Sequence, residues 1–290
     1  MSDAASPFHR WFIRLPLVWL LLFFAAPFFI VAAISIVPAI NAQPPFASPF
    51  DPANWTLESW RLLIGDDLYI AAFANALRIA FTATLVTLLI GYPMAYAMAR
   101  AEPRWRGVLV MLVVVPFWTS FLIRVYAWML LLRPTGLINE GLMALGLIAE
   151  PLPLMANEFA VHLGLVYSYL PFMVLPLYAA LERLDPALLE AAQDLGARPS
   201  SAFWRVTLPL SLPGIVAGIL LVFIPSVGEF IIPDLLGGPD SPMIGKILWT
   251  EFFNNRDWPT ASALAIGLLI LLVTPILVFQ AVERKAPVRA

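Results

Sequence analysis

Residues 206–228, VTLPLSLPGIVAGILLVFIPSVG, contain no Asp, Glu, Lys or Arg. A helix crossing a bilayer needs about 20 mostly apolar residues at 1.5 Å rise each, so this stretch reads as a membrane span. Comparable stretches recur on both sides of it, at Leu15 to Phe50, Ile79 to Ala99, Gly107 to Ile123, Phe159 to Leu181 and Trp258 to Val282. Val125 to Leu132 extends the third past Arg124, and Phe230 to Pro233 extends the fifth past Glu229. The expectation is an all-α integral membrane protein with six transmembrane helices. They fall at about 15–40, 75–99, 107–132, 158–181, 209–233 and 258–282, between a tail at 1–14 and another at 283–290.

Composition agrees. The chain is 61% hydrophobic and 12% charged, against roughly 25% charged residues in a soluble domain. A net charge of -2 offers no basic field for phosphates, which argues against nucleic acid as a partner. With no cysteine, disulfides, thiol catalysis and cysteine-ligated metals are excluded. The first stretch competes with a signal peptide, since Arg10 and Arg14 precede it, but signal h-regions run about 7–15 residues and this one is longer. An anchored helix is therefore expected.

Basic residues in short loops set orientation. Arg10, Arg14, Arg100, Arg104, Arg106, Arg183, Arg198, Arg205, Arg284, Lys285 and Arg289 fall on one side. Only Arg61, Arg133, Lys246 and Arg256 fall on the other, so both termini are expected in the cytoplasm. Acidic residues, among them Asp66, Asp67, Glu158, Asp240, Glu251 and Asp257, gather on the outer side. Prolines sit inside the spans at Pro27, Pro93, Pro116, Pro171, Pro176, Pro225 and Pro275. Each removes a backbone donor, and a freed carbonyl must face protein or a wet cavity. Gly214 and Gly218 form a small-xxx-small pair that admits a close neighbour helix.

Between the fourth and fifth spans lies Leu184 to Pro213, LDPALLEAAQDLGARPSSAFWRVTLPLSLP. Asp185 before Pro186 is a helix start, Gly196 a stop, and Pro199 with Ser200 and Ser201 a second start. A short helix, a sharp turn and a second short helix are expected, either as a docking element or as a capped loop.

Glu190, Ala191, Ala192, Gly196, Leu208 and Pro209 match the spacing of the EAA loop in permeases of ATP-binding-cassette importers, with Val206 where that pattern usually has isoleucine. The stretches VPFWTSFLIRVYAWM at 115–129, GEFIIPDLLGGPD at 228–240 and FFNNRDWP at 252–259 resemble the polyamine branch. Within that branch they sit nearest the first of its two putrescine permeases. The resemblance covers the chain from about Trp55 onward. It implies a type I importer permease bundle with cytoplasmic coupling helices in the bacterial inner membrane. It further implies that Glu190, Ala191, Ala192 and Gly196 in the 184–209 loop couple the chain to an ATPase. The implied partners are a second homologous permease, two ATP-binding subunits, a periplasmic substrate-binding protein and membrane lipid. ATP and magnesium would sit on the ATPase, and this chain would bind no cofactor.

The sequence itself excludes other chemistry. Gly245 and Lys246 are adjacent, but Asp240 and Ile247 stand where a Walker A loop needs Gly and Ser or Thr. His9 and His162 cannot form a His-Glu-x-x-His zinc site, and no G-x-S-x-G elbow exists. His162 is expected to be structural. An ion-coupled secondary transporter shares the broken helices and sparse intramembrane charges, and the EAA spacing argues against it.

A polyamine pathway needs carboxylates at intervals and aromatic faces between them. Trp118, Tyr126 and Trp128 of the third span, with Glu229 and Asp234 after the fifth, are the candidates. Arg124 is expected about 25 Å along its span and Glu229 at similar depth, so a buried ion pair between them competes with a ligand role for Glu229.

Overall fold

The computed structural model describes residues 7–239 and 242–285. Asp240, Arg289, the first six residues of the N-terminal tail and 286–290 of the C-terminal tail lie outside the described residues. The elements in chain order are α1 (Pro7–Leu20), α2 (Ala26–Ile34), α3 (Glu58–Gly65), α4 (Asp67–Arg100), α5 (Pro103–Val114), α6 (Phe121–Leu132) and α7 (Leu137–Ala144). They continue with α8 (Glu158–Glu182), α9 (Pro186–Asp194), α10 (Pro199–Ala202), α11 (Leu208–Val227), α12 (Ile231–Leu235), α13 (Ile244–Trp249) and α14 (Trp258–Lys285). Among the described residues the only β pairing is an isolated bridge between Ala39 and Phe46. Among the described residues five helical stretches are long and apolar enough to cross a membrane: Arg14–Ile34, Asp67–Arg100, Phe121–Ala144, Glu158–Glu182 and Pro199–Val227. Trp258–Thr274 is a shorter apolar one.

The chain divides into two units, one of residues 1–70 and 247–290, the other of residues 71–246. In the first, α14 packs on α2 and α3. The rings of Phe46 and Phe252 lie 5.8 and 5.0 Å from that of Trp258, and the Tyr69 hydroxyl donates to Glu251 at 3.1 Å.

The second unit is built on α4, α8 and α11. Ala95, Met98, Met173, Val174, Leu177 and Val222 are buried where these helices meet. Their approach depends on the expected glycine pair. A Cβ on Gly214 would stand 2.6 Å from the Ala180 Cβ and 2.8 Å from the Pro176 carbonyl oxygen. One on Gly218 would stand 2.6 Å from the Met173 sulfur. Backbone cannot retreat as a flexible side chain can, so Gly214→Leu should destabilise the α8–α11 seam by about 3 kcal/mol or more. A lowered Tm of the detergent-purified protein measures this, with Gly141→Leu, at an open position, as the unaffected control.

Several polar side chains inside this unit are satisfied locally, whereas the Thr207 hydroxyl and the Arg124 Nε are buried without a partner among the described residues. Thr84, Thr87 and Ser226 donate to carbonyls four residues back at 2.7, 2.6 and 2.6 Å. His162 is structural: it ties α8 to α4 through Thr82 at 2.6 Å and bonds the Glu158 carbonyl at 2.8 Å. Arg78 clamps both Glu158 oxygens at 2.7 Å.

Two expectations are corrected here. The third span is not one helix: α5 ends at Val114, a 3-10 turn covers Val115–Trp118, and Thr119 is extended. Pro116 supplies no backbone donor, and the Thr119 hydroxyl donates to the Pro116 carbonyl oxygen at 2.7 Å, offering the chain a turn in place of a helix. Helices α4 and α8 continue through Pro93, Pro171 and Pro176. The second short helix of the 184–209 segment is also not separate. From Pro199 the chain stays helical through a π-helical turn at Phe203–Thr207 and into α11.

Candidate coupling elbow and cation pathway

Asp185 opens the elbow by accepting from the Ala187 amide at 2.9 Å, with Pro186 preset in the first turn of α9. The helix ends in paired reverse bonds. The Gly196 amide donates to the Gln193 carbonyl at 2.8 Å and the Ala197 amide to the Ala192 carbonyl at 3.0 Å, with Gly196 at φ +82. This closure needs a left-handed residue, which is why glycine stands there. Glu190 and Ala191 are exposed, Ala192 is half-buried, and Leu195 at the apex is 90% exposed. A groove lies inside the bend between α9 and the start of α10, with Arg198 and Arg205 among its lining residues.

The second site is at the far end of α11. Gly228 ends that helix and Glu229 follows it in non-helical backbone. The Glu229 Oε1 accepts from the amides of Phe230 and Ile231 at 3.1 and 3.0 Å. Its Oε2 accepts from the Tyr169 hydroxyl of α8 at 2.6 Å. The turn is pinned from behind, because Gly245 packs on the carbonyls of Gly228 and Glu229 so closely that a Cβ would come within 2.5 Å of both. Among the described residues one carboxylate oxygen is thus committed to backbone, while the other accepts from the Tyr169 hydroxyl.

Arg124 does not pair with Glu229. Among the described residues no carboxylate lies within ion-pair distance of Arg124, and its Nε is buried without an acceptor. Its guanidinium carbon sits 5.1 Å from the centroid of Phe117 and 5.7 Å from that of Phe121. The break at Val115–Ser120 sets the direction of α6, so a depth estimate for one straight helix does not hold. Aromatic rings run between the two charges: Phe117 meets Phe172 edge-on at 5.1 Å, and Phe172 lies 6.0 Å from Tyr169.

The other candidates are dispersed. Trp118 is 75% and Tyr126 49% exposed, and Trp128 packs edge-on against Tyr167 at 5.4 Å. Asp234, on α12, forms an ion pair with Lys246 at 3.2 Å. None of these four is among the hydrogen-bond partners of Glu229 found in the described residues. Sequence reasoning missed Tyr169, Phe172 and Phe117. The run Tyr167-Ser168-Tyr169 ahead of Pro171, polar aromatics inside an apolar span, was the available signal.

Residues 87–286, which hold both sites, match the family model described as binding-protein-dependent transport system inner membrane component. The chain belongs to this family. This inner membrane component is 41% identical over 279 residues to the spermidine/putrescine transport system permease protein PotB of Haemophilus influenzae, covering 96% of this chain and 95% of that protein. It is 40% identical over 266 residues to PotB of Escherichia coli K12, covering 92% and 94%. Among solved structures it shares its fold with a chain of a bacterial ABC transporter involved in alginate import, at TM-score 0.67 and 19% identity over 98% of each chain. The all-α expectation and the type I importer permease fold hold.

Proposed function

We propose that this inner membrane component is the permease subunit of an ABC importer that carries polyamines, putrescine foremost, into the cytoplasm. What carries the reading is similarity over nearly the full length to permeases named for spermidine and putrescine. The Glu229–Tyr169 pair is compatible chemistry, a carboxylate with one oxygen available to an ammonium and a ring beside it. In this reading Glu229 is the principal ligand, and Trp118, Tyr126, Trp128 and Asp234 border the route. Glu190, Ala191, Ala192 and Gly196 form the elbow that docks on the ATPase. A second homologous permease completes the pathway, two ATP-binding subunits hold ATP and magnesium, and a periplasmic protein delivers substrate. Both termini face the cytoplasm.

The test is co-purification with the proteins encoded beside it, reconstitution into liposomes, and uptake of labelled putrescine, spermidine and a monoamine. ATP-dependent uptake of the polyamines, putrescine best, is expected. Uptake by this chain alone on an ion gradient, or a preference for the monoamine, would sink the reading.

A further inference from the structure

We propose that the groove inside the elbow binds the headgroup of an anionic phospholipid, in the leaflet where α11 enters the membrane. Its volume is about 450 Å³, within the range of roughly 300–1,000 Å³ that small-ligand sites occupy. Ala192, Leu195 and Gly196 line it from the α9 side and bring no polar side chain, while Arg198, Ser201 and Arg205 line it from the other. Among the described residues neither arginine has a carboxylate within ion-pair distance. The nearby acidic residues are turned away. Glu190 and Asp194 each stand two positions from Ala192, about 160° around a helix of 3.6 residues per turn, and both are exposed. The elbow thus keeps its carboxylates on the outer face of α9 and leaves positive charge in the groove. That charge selects an anion.

Depth selects which anion. The helix Pro199–Val227 has 29 residues, about 43 Å at 1.5 Å rise, against a hydrocarbon thickness of about 30 Å. Its charge-free part starts at Val206, and residues 206–227 cover about 33 Å. Arg205 therefore stands at the hydrocarbon boundary, with the stretch from Pro199 among the headgroups. Exposed tryptophans mark the same level, as is common at a membrane interface. Trp204, beside Arg205, is 65% exposed. Trp105 at the start of α5 is 52% exposed, with the Arg104 guanidinium carbon 5.9 Å from its ring, and the neighbouring Arg106 reaches Glu182 at the end of α8 at 3.6 Å. Helical side chains lean toward the N-terminus of their helix. Arg205 accordingly reaches back from the boundary toward Arg198 and keeps its charge out of the hydrocarbon. A phosphodiester in the groove accepts from both guanidiniums and from the Ser201 hydroxyl, and the acyl chains leave past Trp204. Basic pockets beside helices at the membrane surface hold anionic headgroups in this way.

The experiment is native mass spectrometry of the complex purified with this chain, in mixed micelles of phosphatidylglycerol and phosphatidylcholine. It compares wild type, Arg198→Gln with Arg205→Gln, and Arg133→Gln, the last an exposed arginine past the end of α6. Wild type and Arg133→Gln should retain one phosphatidylglycerol more per chain than the double variant, and prefer it to phosphatidylcholine at that site by about tenfold or more. Equal lipid counts in wild type and double variant overturn the proposal, and so does phosphatidylcholine held as well as phosphatidylglycerol. Displacement of the lipid by excess soluble glycerol phosphate would make the groove a site for a free phosphate ester. Loss of other subunits from the double variant at an unchanged lipid count would make it a protein-docking surface. Either result overturns the lipid assignment. Should the double variant fail to assemble, wild-type fluorescence decides: quenching of Trp204, read as the difference from Trp204→Phe, should be stronger with brominated phosphatidylglycerol than with brominated phosphatidylcholine, and equal quenching overturns the proposal. These readouts count lipid rather than uptake, so they stand apart from the transport reading.

Discussion

Gly196→Pro should reduce ATP-driven uptake more than about tenfold at unchanged membrane abundance. Proline holds φ near −65°, whereas Gly196 sits at φ +82. The substitution also removes the amide that donates to Gln193 at 2.8 Å. The reverse bonds closing α9 cannot form, and the elbow loses its angle. Insertion survives because the segment is exposed and packs no span against another. Gly196→Ala is the graded comparison. Nothing lies within 4 Å of the position, so only the left-handed backbone is penalised, by about 1–2 kcal/mol, and uptake should fall modestly. Measured uptake at equal protein level checks both variants. A Gly196→Pro transporter with wild-type uptake would reduce the elbow to an ordinary connection.

Glu229→Gln should raise the KM for putrescine by about 10–100-fold with little loss of abundance. The amide oxygen of glutamine still accepts from the Phe230 and Ile231 amides, so the turn after α11 is retained, while the charge that an ammonium needs is gone. A hydrogen bond to a charged group contributes about 1.5–3 kcal/mol, which sets the range. Tyr169→Phe should move KM in the same direction by less, because it leaves the carboxylate charged and removes only the hydroxyl at 2.6 Å. Since Arg124 is not an ion-pair partner, Arg124→Leu with Glu229→Leu should be additive within about 0.5 kcal/mol in stability. A strong rescue in the double variant would restore the buried pair that the geometry denies.

What was legible in the sequence follows the range of the forces involved. Apolar runs free of charge decide helices at membrane depth through local composition, and the all-helical fold was readable from them. Asp185, Pro186 and Gly196 are local signals as well, and each does in the structure what its chemistry dictates: an accepted amide, a preset first turn, a left-handed stop. The break at Pro116 was not legible, because Pro93, Pro171 and Pro176 are equally internal and their helices continue. At the break the Thr119 hydroxyl donates to the Pro116 carbonyl, but Thr82 and Ser211 make the same bond inside helices that continue, so local sequence does not separate the two cases. Nor was the partner of Glu229. Tyr169 is 60 residues away in sequence, and only the glycine-mediated approach of α11 to α8 brings the two elements together. The pairing of opposite charges at similar depth was reasonable electrostatics applied to a helix that is not straight.

The π-helical turn at Phe203–Thr207 has a mechanical consequence. It stands between the elbow and α11, and it holds one residue more than an α-helical turn would. Such a wide turn can migrate along a helix with the number of backbone hydrogen bonds unchanged, and each step rotates the residue it passes by about 100° and shifts it by about 1.5 Å. The linkage from elbow to span is therefore a slip joint rather than a rod: travel at one end and rotation at the other are not locked in a fixed ratio.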